Sequence, residues 1–246
     1  MAQSKFAVSM ALAMLVTSAP AFADTVFTDG TFNLANYTQV GPYETIATIT
    51  ASQCASCGES SGPALRVQET FGDTTVNTGE AALGFVNNTF SYDPSTEGAI
   101  FSIDASADKD ATVEGITATF GNTFRPLIEQ DGNYYLAEID GPDFNAPGTS
   151  GFLTISQSGL VAADFVQFDF TTGAFGTATP NFAGDPMLFG LAQITSVGGY
   201  PPSPQLEQDF NNLSIDIAPV PEPSSVWLLV GMLPLLGLAL RHRRFN

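Results

Sequence analysis

Leu213-Ser214-Ile215-Asp216-Ile217 alternates apolar and polar residues one by one, and that period decides the fold class. Successive side chains of a strand point to opposite faces, so Leu213, Ile215 and Ile217 share a buried side while Ser214 and Asp216 meet water. Phe101, Ile103 and Ala105 alternate with Ser102 and Asp104 in the same way. Outward from these two stretches, short apolar or alternating runs recur at 43–50, 64–71, 81–90, 133–139, 151–155, 165–170 and 187–195. Turn signals separate them, among them Asp29-Gly30, Asp93-Pro94, Asp131-Gly132, Gly141-Pro142 and Gly184-Asp185-Pro186. About ten short strands without helical crossovers predict antiparallel pairing in an all-β sandwich of jelly-roll type. That domain is expected over residues 24–217, with the Gly- and Pro-rich stretch 198–204 as a long loop before the final strand and 218–225 as a linker.

Composition narrows the function classes. Between Asp24 and Val220 stand 24 acidic residues against Arg66, Lys109 and Arg125, a net charge of −21. Such a surface repels phosphate backbones, which argues against nucleic-acid binding and leaves divalent cations or neutral partners such as glycans. A chain that is 44% hydrophobic with 20 phenylalanines has material for a core, so the charge does not imply disorder. The single histidine, His242, lies in the last five residues. The domain therefore cannot build a Ser-His-Asp triad or a histidine-ligated metal.

Both ends read as addresses. Residues 1–23 carry Lys5, an apolar run from Phe6 to Val16 and a small-residue site ending Ala21-Phe22-Ala23, the pattern of a secretory signal peptide cleaved after Ala23. At the other end Val220-Pro221-Glu222-Pro223-Ser224-Ser225 precedes the apolar run 226–240, and Arg241-His242-Arg243-Arg244 follows. The run reads as a single transmembrane helix, at a rise of ~1.5 Å per residue roughly 22 Å long against a hydrocarbon core of ~30 Å. Its basic flank, residues 241–246, would stay in the cytoplasm and leave the domain outside.

The order Pro-Glu-Pro, apolar helix, arginine-rich terminus resembles the PEP-CTERM sorting signal of exosortase substrates. The resemblance implies that Pro221, Glu222 and Pro223 are the recognition element and that Arg241, Arg243 and Arg244 stop transfer. It also implies a Gram-negative host, the secretion translocon and an exosortase-type enzyme as partners, and delivery to the cell surface or the exopolysaccharide matrix. A permanent single-pass anchor is the alternative. More broadly, Asp29-Gly30-Thr31-Phe32, the strand at 99–104, Asn133-Tyr134-Tyr135 and the stretch Asp209–Ile215 resemble concanavalin A/laminin G-like jelly rolls of exported bacterial proteins. Many such domains bind carbohydrate.

The expected role is structural or glycan-associated, without catalysis. Two alternatives attach to specific residues. Glu138 and Asp140 would point to one face of a strand, and paired carboxylates are the machinery of glycoside hydrolysis. Glu138-Ile139-Asp140 resembles the start of the Glu-x-Asp-x-x-Glu motif of laminarinase-type glycosidases, but the second Glu is missing. Asp104, Asp108 and Asp110 crowd a short loop with Lys109 and offer oxygen ligands for calcium, with Asp29 and Asp209 as distant candidates, though the spacing is not that of an EF-hand. That set would make the protein a calcium-dependent lectin. Cys54 and Cys57 lack further zinc ligands, and in an oxidising compartment a local disulfide is expected. Tyr37, Tyr43, Tyr92, Tyr134, Tyr135 and Tyr200 are candidate sugar-stacking rings, Tyr200 foremost because it sits in the Pro-rich loop.

Overall fold

A computed structural model describes residues 23–114, 119–145, 151–199 and 205–220. In chain order the strands are β1 (Thr25–Asp29), β2 (Tyr37–Thr45), β3 (Ala47–Cys54), β4 (Ala64–Phe71), β5 (Gly79–Tyr92), β6 (Ile100–Glu114) and β7 (Thr119–Gln130). They continue as β8 (Asn133–Leu136), β9 (Ile139–Asn145), β10 (Leu153–Leu160), β11 (Val166–Asp169), β12 (Ala174–Phe175), β13 (Met187–Val197) and β14 (Gln205–Pro219). Residues 1–22 of the expected leader, the Pro-Glu-Pro element, the apolar run 226–240, the terminal arginines and Tyr200 lie outside the described residues. Among the described residues no helix is long and apolar enough to cross a membrane.

All pairing is antiparallel and falls into two sheets. The first runs β10-β6-β14-β4-β3, with β1 also paired to β14. The second runs β12-β11-β8-β7-β13-β5-β2, with β9 also paired to β7. Their inner faces bury one core that includes Leu65, Phe85, Ile103, Phe124, Phe189, Phe210 and Ile215. Phe27 stacks on Phe90 at 5.1 Å and on Phe189 at 6.0 Å between ring centroids, bridging the two sheets' side chains. The expected all-β sandwich is what the chain builds.

Several boundaries differ from the sequence expectation, each for a visible reason. The run 43–50 is two strands, because the chain turns at Ile46 (φ 50°) and passes from β2 in the second sheet to β3 in the first. The strand at 100–105 continues to Glu114, so Asp104, Asp108 and Asp110 stand on a strand and not in a loop. The run 133–139 stops at Leu136 and resumes at Ile139 in a different pairing. The final strand starts at Gln205 and ends at Pro219, and the Val220 N–H still donates to the Ala99 carbonyl at 2.6 Å. The folded domain therefore reaches Val220, three residues past the expected boundary.

β5 accounts for a second layer. Its run Ala81-Ala82-Leu83-Gly84-Phe85-Val86 is apolar without alternation, which is the pattern of a strand covered on both faces. Ala81, Leu83 and Phe85 face the main core. Ala82 and Val86 join a separate cluster with Leu127, Leu136, Phe168, Phe170 and Ala192 on the outer face of the second sheet. The segment after β11 folds over that face and covers it.

Candidate functional site

Of the five tyrosines within the described residues, three are committed to the core. Tyr37 is buried with its hydroxyl donating to Asp29 Oδ2 at 2.9 Å. Tyr92 is fully buried, its hydroxyl donating to the carbonyls of Glu97 and Gly98, and burial pushes its pKa up to about 12. Tyr135 is 8% exposed. The two that keep surface, Tyr43 and Tyr134, both stand on the outer side of the second sheet, where a second core cluster packs against them.

There the chain forms an open groove of about 540 Å³, with walls that include Pro42, Asn133, Tyr134, Gln167, Asp169 and Phe170. β8 supplies Asn133 and Tyr134, β11 supplies Gln167 and Asp169, and β2 closes the opposite wall. Phe170 is buried beneath and meets Tyr134 edge-on at 5.6 Å, which fixes the tyrosine ring's angle. Gln167 Nε2 donates to Asn133 Oδ1 at 3.0 Å, so the two amides hold each other in place. Asp169 is the fixed carboxylate of the site: Oδ1 accepts from Thr171 N–H at 2.7 Å and Oδ2 from Thr172 Oγ1 at 2.9 Å. Those donors hold its carboxyl below the usual range, the Thr171 backbone N–H first. Burial, and then the neighbouring Glu129 carboxylate, raises the Tyr134 hydroxyl above its ordinary value.

The residues singled out for other chemistry are placed elsewhere. Glu138 falls in the short link between β8 and β9, exposed, with Oε2 accepting from Arg125 Nη2 at 2.6 Å. Asp140 lies in β9 across from Thr123. Glu138 is thus no strand residue, and it is neutralised by a cation instead of facing a second carboxylate. Asp104, Asp108 and Asp110 share the outer face of β6, but each has its own partners. Asp104 accepts from Gly159 N–H at 2.7 Å, Asp108 from Thr154 Oγ1 and from Asn212 Nδ2, and Asp110 from Gly151 N–H at 3.0 Å. Asp209 is gripped by Arg66, and Asp29 Oδ1 accepts from the backbone of Thr31 and Phe32. Among the described residues no group of three His, Cys, Asp or Glu is gathered closely enough to hold a metal ion. Cys54 and Cys57 are joined by a disulfide, their Cα atoms 5.6 Å apart, at the end of β3.

Sequence reasoning placed Lys109 among the acids, yet it points the other way. It is buried between the sheets, with Nζ donating to the Thr123 carbonyl at 2.9 Å and lying 5.4 Å from the Phe210 ring centroid. Desolvation lowers its pKa to about 7. Glu69, also buried, is raised to about 7 by the same cause and accepts from Thr195 Oγ1 at 2.9 Å. Gln167 and Asp169 are not legible as site residues in the sequence, because nothing in Val166-Gln167-Phe168-Asp169 distinguishes a groove wall from an ordinary strand.

Residues 219–244 match the PEP-CTERM protein-sorting motif, which marks an exported protein sorted through the membrane. No curated protein matches the chain. Among solved structures, a family 11 carbohydrate-binding module from Clostridium thermocellum, in complex with a β-1,3-1,4-mixed-linked tetrasaccharide, is 15% identical with a TM-score of 0.39. It is covered over 99% of its length by 83% of this chain. A carbohydrate-binding module studied for mannan recognition is 12% identical (TM-score 0.33, 81% of this chain and 98% of that one). A xylan-binding domain from Paenibacillus barcinonensis is 10% identical (TM-score 0.32, 82% and 96%). Likenesses this shallow carry no inference about ligand.

Proposed function

We propose that this chain, exported and sorted through a PEP-CTERM motif, is a non-catalytic glycan-binding protein of the cell surface or exopolysaccharide matrix. The groove beside Tyr134 carries the reading. Sugars are bound by a ring face for their axial C–H groups and by fixed amides and carboxylates for their hydroxyls. Tyr134, Asn133, Gln167 and Asp169 supply both kinds of contact along one open wall. Each is held before any ligand arrives: the tyrosine by Phe170, the amides by one another, the carboxylate by Thr171 and Thr172. Preorganisation of this kind reduces the ordering cost of binding.

On this proposal the mature chain begins at Asp24, an exosortase-type enzyme processes the tail near Pro223, the outer surface of a Gram-negative cell is the destination, and the sandwich has a concanavalin A/laminin G-like arrangement. Mass spectrometry of the mature protein from its host would check the first two directly. The binding role is tested by affinity electrophoresis through immobilised polysaccharides. Parent protein should be retarded by at least one, and Tyr134→Ala and Gln167→Ala should each migrate freely while remaining folded by circular dichroism. Retardation unchanged in both variants would remove the groove from the account.

A further inference from the structure

We infer that the groove takes a neutral polysaccharide and discriminates against carboxylated or sulfated ones; the inference rests on the glycan-binding reading above. An acidic glycan needs cations, and the domain has three, Arg66, Lys109 and Arg125. All three are committed. Arg66 forks onto Asp209, with Nε and Nη2 each 2.8 Å from a carboxylate oxygen, and also pairs with Glu207 at 2.9 Å. It stands on β4, in the other sheet. Lys109 is buried between the sheets and held by the Thr123 carbonyl. Arg125 is bound to Glu138 and lies 6.0 Å from the Phe175 ring centroid, outside the groove's lining.

The groove's own charge has the opposite sign. Asp169 is exposed on its wall, and the donors from Thr171 and Thr172 hold its carboxyl below the usual range. Glu129, one strand away on β7, pairs in register with Tyr134 and adds a second negative charge beside it. A uronate or sulfate seated on Tyr134 would therefore meet anions and no compensating cation. A hydroxyl in the same place meets a good acceptor in Asp169. At separations of a few ångströms near a surface, one uncompensated like charge weakens binding by about threefold to tenfold.

The test uses matched polymers that differ in charge alone: neutral glucans, mannans, xylans and galactans, each beside its carboxymethylated derivative, run in affinity gels at ~0.15 M salt, where the Debye length is ~8 Å. The expected result is retardation by at least one neutral polymer, with binding to its carboxymethylated partner at least about threefold weaker. Glu129→Gln, which lies outside the groove's lining, should narrow that gap and leave neutral binding unchanged, whereas Asp169→Asn should narrow it while weakening neutral binding as well. Equal retardation by a neutral polymer and its charged partner overturns the inference and leaves glycan binding standing. Retardation by the charged polymers alone also overturns it. Retardation by none of them overturns both.

Discussion

Phe170 is pressed onto Gly84: a Cβ built at residue 84 would stand 2.7 Å from the Phe170 Cζ. The turn that follows β11, an arch over residues 170–173 that walls the groove, is thus seated on a position without a side chain. Gly84→Val should displace Phe170, release Tyr134 from its edge-on partner and cost about 1–3 kcal/mol, the range for overpacking a filled site. Urea denaturation reads the stability, and affinity gels should show glycan binding lost with it. Unchanged binding in Gly84→Val would mean that the arch does not shape the site.

Arg66 is the single cation on the outer face of a sheet that also presents Asp104, Asp108, Asp110, Glu207 and Asp209. Asp209 is opposite both Arg66 and Asp110 in register, so removing the guanidinium leaves neighbouring carboxylates facing one another. Arg66→Ala is expected to lower stability by about 1–3 kcal/mol. Arg66→Lys should recover only part of it, because an ammonium cannot reproduce the two-bond fork. Raising the salt concentration should shrink the Arg66→Ala deficit, which chemical denaturation at low and high sodium chloride would read.

Glu69 and Lys109 give stability a distinctive dependence on pH. Glu69 has its carboxyl raised by burial to about 7, so between 4.5 and 7 the native state holds a proton that the unfolded state has lost. Stability from this group falls as pH rises through that window. Lys109 is lowered by burial to about 7, so between 7 and 10.5 the unfolded state holds the extra proton and stability rises with pH. Together the two produce a minimum near neutrality. Thermal melts of the parent and of Glu69→Gln/Lys109→Met should differ most near pH 7 and converge on either side. A difference that does not change with pH would show that the pair titrates normally.

The Cys54–Cys57 disulfide closes a very short loop, so its effect on the unfolded chain is small. Cys54→Ser/Cys57→Ser should cost about 1–2 kcal/mol in urea and leave the groove, on the opposite sheet, fully active. Reducing agent should lower the parent's denaturation midpoint by the same amount and leave the double variant's where it was. A much larger loss would assign the bridge a role beyond pinning its own turn.

How much of this was legible depends on whether burial followed the two-residue period. The strand Ala64–Phe71 and the alternation at Leu213–Ile217 lie where the sequence put them, because each shows one apolar face. β6 looked finished at Ala105 because Lys109 interrupts an inward series that otherwise reads Ile103, Ala105, Ala107, Ala111 and Val113. A buried lysine is invisible to a polar–apolar pattern. β7 escaped altogether, since Gly121, Asn122, Arg125 and Pro126 all argue against an inner strand. The proline is tolerated at a break in pairing: its carbonyl accepts from Ala137 N–H, and its missing N–H would face the gap where β8 gives way to β9. The groove was the least legible part, because its walls come from segments more than a hundred residues apart.

β14 ends beside the sorting motif, and that fact has a mechanical side. Its neighbours are β6 along nearly its whole length, β4 over Gln205–Phe210 and β1 over Leu213–Ile217. Traction applied at Val220 along the strand axis would load these ladders in shear, many rungs at once, instead of unzipping them singly. A pull on the domain through the sorting-motif end would thus act on a strand laddered to neighbours on both sides and not on a free sheet edge.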